Sequence, residues 1–131
     1  MLDDELCSGI LRRNARGRIA LSVDALPVIL PVNYELAGED IIMCVVLDDR
    51  HLTALDHTVV AFEVDEIDPI TGAGLSVMVQ GLARDVGICD RPTGSAESGR
   101  QLPTPAHPTV SLAISTLDSR TWPPCEHGPG R

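Results

Sequence analysis

Between residues 59 and 86, apolar and polar positions alternate twice around a turn. Phe62 and Val64 fall on one side, Glu63 and Asp65 on the other. After Pro69, Gly72 and Gly74 the alternation resumes, with Leu75, Val77 and Val79 opposed to Ser76, Met78 and Gln80. A period of two marks half-buried strand, and the Pro and Gly residues supply the reversal. The segment predicts a long antiparallel hairpin in an all-β core.

The rest of the chain adds shorter elements. Residues 2–14 read as a helix, with Asp3, Asp4 and Glu5 at its start and Arg12, Arg13 and Arg16 at its end, an order that complements the helix dipole. Leu2, Leu6 and Ile10 form its apolar stripe, and Gly17 is expected to end it. Strands are expected over 18–23, 28–36 and 41–47. Pro31 points to an edge or bulge in the second, and the third reads as buried on both faces. Asp48 is placed to cap a helix over 49–56 that buries Leu52 and Leu55. Residues 87–108 read as a loop or a weak helix over 95–102. Strands over 109–114 and 117–122 close the domain, and the Pro/Gly-rich tail 123–131 reads as disordered. There is no internal repeat. The expectation is one domain over residues 1–122, mainly β, with about six antiparallel strands. The pattern alone does not choose between barrel and sandwich.

Composition narrows the function. The only aromatic residues are Tyr34, Phe62 and Trp122, so the core must be aliphatic. The net charge is −9, and all ten basic residues are arginine. Neither nucleic acid nor an anionic membrane suits such a chain, because both need a basic face. Cys7, Cys44, Cys89 and Cys125 are widely spaced, without a C-x-x-C pair. They read as reduced thiols, with Cys44 a small buried hydrophobe. The N-terminus is acidic and lacks an apolar signal-like segment, and no run approaches membrane-spanning length. The default expectation is a soluble cytoplasmic protein.

Three blocks carry a family resemblance. They are GRIALSV at 17–23, PVILPVNY at 27–34, and FEVDEIDPITGAGLSVMVQGLARDV at 62–86. In this order and spacing the chain resembles the pyridoxamine 5′-phosphate oxidase-like family. The resemblance implies a six-stranded split β-barrel with two short helices. It also implies a homodimer, with FMN (or a deazaflavin) bound at the dimer interface, and oxidoreductase chemistry on an unidentified small molecule. The flavin would perform the redox step, so no catalytic side chain is named.

Departures from the family pattern fall at the cofactor contacts. The family's phosphate-holding "RTapGsKL" segment corresponds to residues 43–52. Met43 and Cys44 stand for its Arg and Thr, and His51 beside Arg50 stands for its Lys, behind Asp48 and Asp49. Leu75 replaces the tryptophan of "GWSV", and Thr104 replaces a linker tryptophan. Arg120 remains from the closing "ItGRRi". Candidate cofactor-binding residues are therefore Arg18, Asn33, Tyr34, Arg50, His51, Leu75 and Arg120. The alternative is a cofactor-free barrel dimer that serves as a binding or interaction module. Glu63, Asp65, Glu66 and Asp68 read as a solvated face rather than a metal cluster. Cys125, Glu126 and His127 lie in the tail, and His57 and His107 lack motif context. No nucleophilic triad stands out.

Overall fold

The computed structural model describes residues 4–45, 47–89 and 107–124. Its elements are α1 (Asp4–Arg13), β1 (Arg16–Val23), β2 (Leu26–Ala37), β3 (Asp40–Cys44), α2 (Asp49–Leu55), β4 (Thr58–Ile67), β5 (Gly74–Cys89) and β6 (His107–Trp122). The strands close a six-stranded antiparallel barrel in the order β1-β2-β3-β6-β5-β4. The choice the pattern left open falls to the barrel. Closure rests on a short seam, Arg18–Ala20 of β1 against Ala61–Glu63 of β4. No helix among the described residues is long and apolar enough to cross a membrane.

Alternation decides what enters the barrel. Ile19, Leu21, Val23, Val32, Tyr34, Ile41, Met43, Val60, Phe62, Val64, Val77 and Val79 are buried and face one core. Phe62 is fully buried and meets the Tyr34 ring edge-on, at 4.9 Å and 78°. A Cβ on Gly17 would stand 2.6 Å from the Phe62 ring and 2.8 Å from the Glu63 carbonyl, so only glycine allows this approach.

Several expectations are corrected. Gly17 does not end the helix; it lies inside β1, because its lack of a side chain is needed against Phe62. β3 is shorter than expected and is not buried on both faces. Ile41 and Met43 point inward, while Ile42 and Cys44 are half-exposed. Cys44 is therefore not a core residue, and it is disulfide-bonded. Cys7 is a free, buried thiol. The two closing strands are one, β6, which bends where its register against β5 shifts between Gln80 and Gly81. β5 continues to Cys89 instead of yielding to a loop at 87. Pro31 pairs with Arg18 in the half of β2 that runs beyond the β3 pairing, so its missing N–H breaks no ladder bond there. The expected helix at 95–102 and the tail from 125 lie outside the described residues.

α1 is held by partners for its last carbonyls, which a helix cannot satisfy internally. The Tyr34 hydroxyl donates to the Leu11 carbonyl at 2.6 Å, and the Asn14 amide donates to the Ile10 carbonyl at 2.8 Å. Arg13 Nε (2.7 Å) and Asn14 Nδ2 (2.9 Å) both donate to Glu66 at the end of β4. α2 is capped as expected, the Asp48 carboxylate accepting from the His51 N–H at 2.8 Å.

Two predictions follow from these clasps. Tyr34→Phe leaves a buried carbonyl without its donor and should lower stability by about 1–2 kcal/mol in urea unfolding. The Arg13 guanidinium, then the Asn14 amide, hold the Glu66 carboxyl down at about 2, from the usual 4.5. A depressed carboxyl contributes stability above its unfolded value and loses it as pH falls from about 4.5 towards 2. Glu66→Gln should therefore flatten part of the decline in melting temperature over that window.

Candidate functional site

Because Gly17 and Ile19 face inward, Arg16, Arg18 and Ala20 face outward on β1. Strand register extends this outer face sideways. Arg18 stands opposite Pro31 on β2 and Glu63 on β4, and Glu63 in turn stands opposite Met78 on β5 and through it Asp118 on β6. The next row brings Ile29, Ala20, Ala61 and Gln80 together. Further along, Val59 stands opposite Leu82. The face is thus charged at one end and apolar at the other, where Ile29 is 67% and Val59 68% exposed.

At the charged end Arg18 bridges two carboxylates, 3.4 Å from Glu63 and 3.3 Å from Asp65. Burial pushes the Glu63 carboxyl above its usual value and Asp65 pushes it further, with Arg18 opposing both. These carboxylates form an ion-pair face, and the described residues hold no group of three or more side chains suited to a metal ion.

Of the remaining candidates, Asn33 and Arg120 share this outer face. Asn33 is half-buried on β2, between Arg16 and Cys44 on the neighbouring strands. Arg120 stands opposite Ser76, largely exposed and 3.9 Å from Asp118. Tyr34 and Leu75 face the other way. The Tyr34 hydroxyl is committed to α1, and its burial, with Glu66 nearby, raises its pKa to about 12. Leu75 packs on the core.

Arg50 and His51 lie elsewhere, on α2. Arg50 pairs with Asp24 at 3.0 Å, and His51 Nδ1 with Asp48 at 3.0 Å. Arg50 lines a hollow of about 470 Å³ with Val23, Asp24, Asp49, Thr53 and Ala54. Asp24 is six residues from Arg18 on the same hairpin arm, about 20 Å at strand rise. The four predicted cations therefore do not converge, and each already faces a carboxylate. Met43, at the family's arginine position, is fully buried. These residues do not fit a flavin phosphate in the family's manner.

Two features were missed in the sequence. Arg16, read as a helix-end charge, opens β1 on the outer face. Asp56 accepts from the Asp85 N–H at 2.9 Å and lies 3.0 Å from His57 Nδ1. The Asp85 backbone bond, followed by His57, holds the Asp56 carboxyl below its usual value. His57 has φ +61°, in the left-handed region, and its N–H donates to the Ala83 carbonyl at 2.8 Å. No spacing rule exposes a pair built by adjacent residues and a strand 29 positions away.

Comparison with known proteins agrees with this architecture. The family described as pyridoxamine 5′-phosphate oxidase matches residues 3–117. The uncharacterised protein Rv0080 of Mycobacterium tuberculosis is 32% identical over 121 residues, covering 88% of this chain and 75% of that protein. Among solved structures, an FAD-binding protein of Mycobacterium smegmatis superposes with a TM-score of 0.67 at 24% identity, covering 92% of this chain and 95% of its own. An FAD- and heme-binding protein of the same organism gives 0.68 at 16% identity, over 100% of this chain and 75% of its own. With the barrel order, the three sequence blocks and a match across nearly the whole domain in agreement, the chain belongs to the pyridoxamine 5′-phosphate oxidase family.

Proposed function

We propose that this protein is a flavin-binding, oxidoreductase-like homodimer whose ligand lies on the outer face of β2-β1-β4-β5. The observation that carries the reading is the family match over residues 3–117. The fold shared with FAD-binding proteins supports it. The apolar end of the outer face, with Ile29, Val59, Ala20, Ala61 and Leu82, offers a flat surface to a planar ring or a second copy. A bound flavin would supply the redox chemistry for a small-molecule substrate, while the chain orients the ring and excludes water. FMN is the cofactor the family resemblance implies; a deazaflavin or FAD would use the same surface.

One observation favours a second reading, a cofactor-free dimer that acts as a binding or interaction module. Arg18, Arg50, His51 and Arg120 all face carboxylates already. A visible absorption spectrum of the purified protein, repeated after soaking with FMN or FAD and desalting, separates the two. A retained flavin band is expected; its absence with both flavins favours the cofactor-free barrel.

The dimer has its own test. Ile29→Glu or Val59→Glu places a charge on the exposed apolar face and should convert the dimer to monomer in light scattering, with loss of any bound flavin. An unchanged dimer that retains its flavin would place the interface on another face.

A further inference from the structure

The barrel is closed, yet one strand outruns its neighbour. β4 pairs with β5 only as far as Thr58 opposite Ala83. β5 continues to Cys89 with β6 on one side, Arg84 opposite Ser111 and Cys89 opposite His107. Among the described residues no strand lies on the other side of 84–89. Arg84, Asp85, Val86 and Gly87 are all exposed. A bare strand edge presents a row of backbone donors and acceptors, and such a row is a template for another strand.

This edge is not bare. The last link of the β4–β5 ladder is the His57 N–H on the Ala83 carbonyl, at 2.8 Å. His57, at φ +61°, takes the chain out of the strand there. Asp56 then stands where the next strand residue would be. Its Oδ1 accepts from the Asp85 N–H at 2.9 Å, in place of a backbone carbonyl. Its Oδ2 lies 3.0 Å from His57 Nδ1, so both oxygens are occupied and the carboxylate is held in position. One step further along, the Gly87 N–H donates to the Asp85 carboxylate at 3.1 Å. Between them the register against β6 shifts, which leaves Val86 as a bulged, exposed residue. Two carboxylates and a bulge thus fall on the one stretch of β5 that has no strand beside it.

We propose that Asp56, with the Asp85 side chain and the Val86 bulge, guards this edge against pairing with the same edge of a second copy. Antiparallel edge-to-edge pairing is self-complementary, so one exposed edge is enough to join two copies. The guard is independent of the flavin reading and of the apolar face on which the proposed dimer forms.

The test compares wild-type protein with Asp56→Ala and Asp56→Asn, by light scattering over a concentration series and by residue-resolved amide exchange. In dilute Asp56→Ala the Asp85 amide should exchange about tenfold faster or more, because a charge-assisted acceptor is gone. With rising concentration this variant should reach at least twice the wild-type mass, and the Asp85 and Gly87 amides should slow again as the edges pair. Asp56→Asn keeps a side-chain carbonyl for the Asp85 N–H and should stay at the wild-type mass. Faster exchange with the wild-type mass at every concentration overturns the proposal, since the edge is then open and still does not pair. Unchanged exchange at Asp85 overturns it as well, as does assembly without renewed protection at Asp85 and Gly87, or equal assembly by Asp56→Asn. If circular dichroism shows Asp56→Ala unfolded, Asp85→Ala, which removes only the bond to the Gly87 N–H, answers the same question at the Gly87 amide.

Discussion

The Phe62 ring is the contact around which the barrel is organised. It is fully buried on β4, and the β1 backbone approaches it at Gly17 more closely than any side chain would allow. Tyr34 of β2 meets it edge-on, and the Tyr34 hydroxyl then reaches the last turn of α1. One ring thus links two strands and a helix in a core with almost no other aromatic surface. The charged clasp of Arg13 and Asn14 on Glu66 fixes the same helix end from outside.

That inward constraint has an outward consequence. A strand has a period of two, so pressing Gly17 against Phe62 sends Arg16 and Arg18 to the opposite face. Arg18 meets carboxylates from β4, while Arg16 stands across from Asn33 of β2 in the strand register. Neighbouring positions of the same residue type thereby acquire different electrostatic roles. In a chain of net charge −9 without lysine, the described arginines Arg13, Arg18, Arg50 and Arg120 each have a carboxylate within 4 Å.

The same economy of charge governs α2 and the turn at β4. Asp48 caps the helix and faces His51, and Asp24 receives Arg50 from the adjoining turn. Asp56 occupies the Asp85 N–H where β5 runs past the start of β4. Side-chain carboxylates here complete backbone hydrogen bonding at element ends, which is a structural use of residues that resemble ligands when read singly.

By itself the sequence determined the faces of the β4–β5 hairpin, the cap at Asp48, the family and the mainly β class. Each rests on local periodicity, local side-chain-to-backbone bonding or an ordered set of motifs. It also showed that the family's phosphate contacts at Met43 and Cys44 are gone. The tertiary structure decided what depends on pairing between distant segments. The barrel closes through the β1–β4 seam, β6 is one bent strand, Gly17 belongs to a strand, and Cys44 sits outside the core in a disulfide. It also decided which of the described arginines meet carboxylates: Arg13, Arg18, Arg50 and Arg120. An ion pair between Arg18 and residues 45 and 47 positions away leaves no trace in local pattern, because register, not spacing along the chain, brings those groups together.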